Sequence, residues 1–143
     1  MDFWTISEFQ QFIKTTENDI TAKAIFNLFF YSGIKEGELL ALTFEDFNFK
    51  NNTVSINKNY ARINGQDLIQ EPKTPKSKRI VSLPKPIMDT ILEYVKHLYE
   101  YKSTERLFCV TKNYLHREMN KYITLAGVKR IRVHIFAIVT QVC

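Results

Sequence analysis

Cysteine is scarce in this chain of 143 residues, occurring at Cys109 and Cys143. Neither sits in a CxxC or His-paired spacing, which argues against a zinc site and against a disulfide framework. One buried thiol and one incidental thiol in a reducing compartment is the expected arrangement. Histidine is also sparse, and His97, His116 and His134 are too scattered to form a metal-ligand set. His97 and His116 fall on helical stretches with charged neighbours and are expected at the surface. No apolar run approaches the ~20 residues of a membrane span. The start "MDFWTISEF" lacks a basic-then-apolar signal pattern. A cytoplasmic protein with no membrane partner is expected. Low-complexity segments, internal repeats and Gly/Ser linkers are absent as well, so the chain reads as one unit.

The composition that remains, 45% apolar and 24% charged, is that of an ordinary globular domain. The length suffices to bury a core without disulfides or metal. Twenty Lys and Arg against fifteen Asp and Glu give a formal charge of +5 and a pI near 9.2. That excess permits a polyanionic partner without establishing one.

Thr5 and Glu8 in "TISEFQQFIK" have capping-box spacing, and Phe9, Phe12 and Ile13 follow on one helical face. "DITAKAIFNLFFYSG" predicts a more buried helix stopped by Gly33, with Phe26, Phe29 and Phe30 in the core, and "KEGELLAL" predicts a third, short one. From Thr53 the period becomes two. "TVSINKNYARI", "QDLIQEPK" and "RIVSLP" predict three antiparallel strands, with Asn64-Gly65 as a hairpin turn. Pro84 opens the helical stretch "PIMDTILEYVKHLYEY", and Thr111 caps "KNYLHREMNKYITLAG", which Gly127 closes. The expected fold is α+β, mainly helical with a small three-stranded antiparallel sheet.

Lys73, Lys76, Lys78 and Arg79 crowd the stretch "EPKTPKSKRIVSLP". A solvated hairpin tip and a phosphate contact both account for such a cluster. A second basic run, Lys129, Arg130 and Arg132, leads into His134. "FFYSGIKEGELLALTFEDFNF", then the strands with "EPKTPKSKRIVSLP", then "AGVKRIRVH" together resemble the catalytic domain of tyrosine recombinases, particularly integrases of phages and integrative elements. The resemblance runs from Phe3 to His134, with three separated motifs in the family's order.

That resemblance implies a tyrosine that attacks a DNA phosphodiester, with no metal or other cofactor. Two arginines and a histidine would hold the phosphate oxygens, and a lysine on the hairpin would protonate the leaving oxygen. Carried over by motif, the lysine is Lys73, the histidine is His134, and Glu38 is the acidic helper beside the first arginine. Lys35 occupies that arginine's own place, since the family's "GLRxGELLAL" stands here as "GIKEGELLAL". The charge survives but the planar fork does not, so Lys35 suits phosphate binding better than catalysis. Lys76, Lys78, Arg79, Lys129, Arg130 and Arg132 are the expected DNA contacts. Double-stranded DNA and further recombinase protomers are the implied partners.

The ending "HIFAIVTQVC" departs from the family's approximate "HDFRHSHASLLI". Deleting one base after the histidine codon in one coding of the family pattern yields Ile135 to Cys143 followed by a stop. Residues 135–143 are therefore expected to be an out-of-frame tail on a single catalytic-domain fragment. The second arginine would have stood at Ala137. None of the tyrosines at 31, 60, 94, 99, 101, 114 and 122 matches the nucleophile's motif. Tyr31 lies on the buried second helix, and the rest are expected to be packing residues. The expected role is site-specific DNA recombination or integration in an enzyme of which this fragment is inactive. The alternative is a non-catalytic DNA-binding or dominant-negative remnant.

Overall fold

The computed structural model describes residues 4–72 and 74–131. Lys73, Arg132, His134 and the 135–143 tail lie outside the described residues. The first helix, α1 (Ile6–Lys14), begins with the expected capping box. The Thr5 N–H donates to Glu8 Oε1 at 2.9 Å, and the Glu8 N–H donates to Thr5 Oγ1 at 3.2 Å. The second, α2 (Ile20–Ser32), is capped by Asp19 and ends at Gly33, whose φ of 68° only glycine adopts without strain. It is apolar nearly all round and is buried accordingly, with Ala22, Ile25, Phe26, Leu28, Phe29 and Phe30 in the core. The short α3 (Glu36–Ala41) follows at once.

The strand region differs from the sequence expectation in connectivity. The run from Thr53 to Ile63 is two strands, β2 (Thr53–Ile56) and β3 (Asn59–Ile63), separated at Asn57-Lys58. A short β1 (Phe47–Asn48), which the sequence did not suggest, pairs with β2, and β2 pairs with β5 (Arg79–Ser82). The three-stranded antiparallel sheet is thus β1-β2-β5. The Asn64-Gly65 hairpin joins β3 to β4 (Gln66–Gln70) in a separate two-stranded ribbon. Both turn residues have positive φ, 52° and 76°, as a two-residue hairpin turn of this class demands.

Two contacts explain the split. Lys58 Nζ turns back to Asp46 at 2.8 Å, tethering the break to the segment before β1. Asn59 and Tyr60 then lie directly against α3. A Cβ at Gly37 would fall 2.2 Å from Asn59 Oδ1 and 3.2 Å from the Tyr60 carbonyl oxygen, so β3 approaches α3 only because position 37 has no side chain.

The fourth helix, α4 (Lys85–Lys96), starts at Pro84 as expected but stops at His97 instead of reaching Tyr101. Tyr101 is drawn elsewhere: its hydroxyl accepts from the Phe44 N–H at 3.0 Å and donates to the Glu105 carbonyl at 2.7 Å. Glu100 turns the chain there with a φ of 50°. The last helix, α5 (Lys112–Ala126), is capped by Thr111 and closed by Gly127 in the left-handed conformation. Trp4 Nε1 donates to the Lys129 carbonyl at 2.8 Å, and Gln11 Nε2 donates to the Ala126 carbonyl at 2.9 Å, fixing α1 to the end of α5. Cys109 is exposed on the loop before α5, so it is not the buried thiol the sequence suggested. The thiol merely meets the Arg106 carbonyl at 3.4 Å. Among the described residues no helix is long and apolar enough to cross a membrane.

An aromatic core holds α1 on α2. Phe9 stacks on Phe30 at 3.9 Å, and Phe12 meets Phe26 edge-on at 5.2 Å and Trp4 at 4.6 Å. Phe12→Ala is expected to lower the unfolding free energy by about 3–5 kcal/mol, since a fully buried ring is replaced by a cavity. Urea unfolding of the two proteins measures the difference.

Candidate functional site

The N-terminus of α3, the ends of the ribbon and the connection from β4 to β5 meet at one cleft of about 340 Å³. Lys35, Glu38, Asn59, Gln70, Pro72 and Ser77 are among its lining residues. Lys35 is exposed and immediately precedes α3. Glu38 lies one turn on, and its side chain retains only 7% exposure. Burying a carboxylate is tolerable only with charge and hydrogen bonds to replace water. Arg79, the first residue of β5, supplies them through a bidentate pair, Nη1 to Oε2 and Nη2 to Oε1, each at 3.0 Å. Oε1 also accepts the Lys35 N–H at 2.9 Å, and Arg79 Nη1 donates to the Ser77 carbonyl at 2.8 Å.

The fold thereby brings together Lys35, Glu38 and Arg79 from sites distant in sequence. Lys76 and Lys78 are exposed on the connection leading into β5, where Lys78 Nζ lies 2.6 Å from Glu71. Lys129 and Arg130 are exposed on the segment after α5. The Lys129 ammonium faces Glu8 of α1 at 3.8 Å rather than the cleft. His116 is at the surface as expected, with Nε2 3.0 Å from Glu36, the first residue of α3. His97, also at the surface, caps the end of α4.

One organising residue had no sequence signal. Arg106 precedes an apolar stretch and belongs to no motif, yet its guanidinium meets α3, both ribbon strands and its own loop.

Tyrosine environments bear on chemistry, because a phenol nucleophile requires activation. Burial pushes Tyr114 up to about 12 and also raises Tyr94 and Tyr101. Tyr122 is raised by burial and by the hydrogen bond its hydroxyl donates to Asp19 at 2.7 Å. These four phenols stay protonated near neutrality. Tyr60 is buried and donates to Asp67 at 2.7 Å. Tyr31 is half-exposed although its helix is buried, and Tyr99 is exposed.

Residues 2–136 match the family model described as the Phage integrase family. The chain belongs to the phage integrase family. It is 32% identical over 101 residues to the ICEBs1 integrase of Bacillus subtilis (strain 168), a match covering 70% of this chain and 27% of that protein. It is 31% identical over 115 residues to IntQ of Escherichia coli (strain K12), covering 71% and 28%. The chain thus spans little more than a quarter of these relatives' length. The fold is that of solved tyrosine-recombinase catalytic domains. The Tn1549 transposon integrase, solved in complex with transposon right end DNA, superposes with a TM-score of 0.80 at 16% identity, over 95% of this chain and 50% of that one. The XerA recombinase gives 0.76 at 16% identity, over 96% and 48%.

Within this phage-integrase fold the Glu38–Arg79 pair is a tertiary tie, and its carboxylate partner also lines the cleft. Arg79→Leu strands a buried carboxylate and is expected to cost about 2 kcal/mol of stability, moderated because the arginine is a third exposed. The double change Glu38→Gln with Arg79→Gln should recover most of that loss, since no buried charge remains unpaired. Chemical denaturation of the single and double variants gives the comparison.

Proposed function

We propose that this chain is part of the catalytic domain of a site-specific DNA recombinase and that, on its own, it holds duplex DNA without cutting it. The observation that carries the proposal is the cleft itself, where Lys35 stands beside a preorganised Glu38–Arg79 pair next to the strand connection bearing Lys76 and Lys78. In this proposal Lys35 takes the phosphate as a point charge, and Glu38 fixes the start of α3. Lys73 serves as the proton donor and His134 as a phosphate ligand in the intact active site. Arg79, Lys76, Lys78, Lys129, Arg130 and Arg132 add contacts to the DNA backbone, and further protomers complete the recombining assembly.

Binding without cleavage has a specific basis. A lysine at position 35 removes a bidentate donor, and loss of one such donor raises a barrier by roughly 2.7–4 kcal/mol. Tyr94, Tyr101, Tyr114 and Tyr122 are held neutral, and no tyrosine of the chain matches the family's nucleophile motif. The out-of-frame origin of residues 135–143 belongs to the same proposal, and the DNA beyond the Cys143 codon tests it. That DNA should encode an arginine-bearing helix and a tyrosine in another frame. Their absence from every frame would refute that origin.

The affinity for duplex DNA is expected to be in the range of about 1–100 μM at physiological salt and to fall steeply as salt rises, because counterion release dominates. Fluorescence anisotropy with a labelled duplex measures it, and absence of binding at low salt would reject the proposal. On a nicked suicide substrate no covalent protein–DNA adduct is expected, and Lys35→Arg alone should not create one, because groups acting as a unit restore little rate singly. A phosphotyrosyl adduct on a denaturing gel would show the inactivity to be wrong.

A further inference from the structure

The connection carrying Lys76 and Lys78 is anchored at two ends. At one, β5 is paired with β2, and Arg79 is locked to Glu38. At the other, β4 pairs only with β3 among the described residues, so the placement of that end depends on what holds the ribbon. β4 is exposed along its whole length, and burial therefore contributes little to fixing it. Gln70, its last residue, and Pro72 just beyond form part of the wall of the Lys35 cleft. A shift of the ribbon would carry that wall with it.

Arg106 is the group that reaches all the parts concerned. Its Nε donates to the Leu40 carbonyl of α3 at 2.7 Å, two residues after Glu38. Its Nη2 donates to the carbonyls of Phe108 at 3.1 Å and Val110 at 3.2 Å. Nη1 reaches Asp67 Oδ2 of β4 at 3.4 Å, and the guanidinium carbon sits 3.9 Å above the Tyr60 ring of β3. The side chain is only 16% exposed and is therefore poorly placed to touch DNA itself. Asp67 also accepts from the Tyr60 hydroxyl and from Arg62, which hold its carboxyl below the usual aspartate value and keep it charged near neutrality.

We infer that Arg106 is a positioning residue, which clamps the β3–β4 ribbon to α3 and so sets the basic connection against the Lys35 cleft for phosphate contact. The inference rests on the proposed DNA binding. A lysine cannot replace Arg106, because donors in a planar fork serve separate acceptors while the flat face covers an aromatic ring.

Asp67→Asn is the decisive variant. Deleting an acidic surface charge, and releasing Arg62 with it, should by electrostatics alone tighten binding to a polyanion. Loosening the clamp should do the opposite. Anisotropy titration of a labelled duplex at low salt is expected to show Asp67→Asn weakened about fivefold and Arg106→Lys about tenfold, although the latter keeps its charge. Glu93→Gln, a charge deletion on an exposed part of α4, should bind as well as the unmodified chain or better. Hydrogen exchange should accelerate in Asp67→Asn at the amides of 59–70 and stay unchanged in α2. Failure of the unmodified chain to bind would overturn the proposed function and the clamp with it. Binding by the unmodified chain that Asp67→Asn leaves unchanged or tightens would overturn the clamp alone, as would unaltered exchange in the ribbon.

Discussion

Glu38 is a carboxylate taken almost wholly out of water, and the cost of that desolvation dictates what must surround it. It requires a cation with matching geometry, so β5 must begin beside α3 with Arg79 turned inward. It also requires the Lys35 N–H, so the chain must enter α3 extended at Lys35. Once Arg79 is fixed, the register of β5 against β2 follows, with Arg79 opposite Ile56 and Ser82 opposite Thr53. The connection from β4 has to return to that same point. One charged pair thus ties a helix and a strand that are far apart in sequence, and the cleft is the space left where they meet.

Local signals were legible in the sequence, and long-range ones were not. The Thr5–Glu8 box, the Thr111 cap, the glycine stops at 33 and 127 and the Asn64-Gly65 turn each depend on a few neighbouring residues, and all are present. The break at Asn57-Lys58 depends on Asp46 and on the missing Cβ of Gly37, so an unbroken alternation from Thr53 to Ile63 concealed it. The end of α4 was concealed in the same way, because Tyr101 fits the helical spacing until Phe44 and Glu105 claim its hydroxyl. In the cleft, Lys35 and Glu38 were found through a motif. Arg79 was noticed only as one charge in a cluster, and its carboxylate partner became visible with the fold. Arg106 carried no signal, since an arginine that binds carbonyls needs acceptors the sequence does not advertise.

The two basic regions of the chain are held in different ways. Lys76, Lys78 and Arg79 hang from the sheet and the ribbon, whereas Lys129 and Arg130 follow α5 and are tied to α1 through Trp4 and Glu8. The aromatic core beneath α1 therefore fixes the second region, while charged pairs and the arginine clamp fix the first. Salt should act on the first more readily, because ion pairs near the surface are screened while packed rings are not.

Positions 35 and 37 are two residues apart and are constrained by the fold in opposite ways. Gly37 is confined by the space between α3 and β3, so drift there damages the shape of the protein. Lys35 projects into solvent and contributes its backbone N–H to Glu38, a bond that any residue except proline can supply. The side chain at 35 can therefore be exchanged while the architecture stays intact. The backbone of this fold thus registers what stands at position 37 and is indifferent to what stands at position 35.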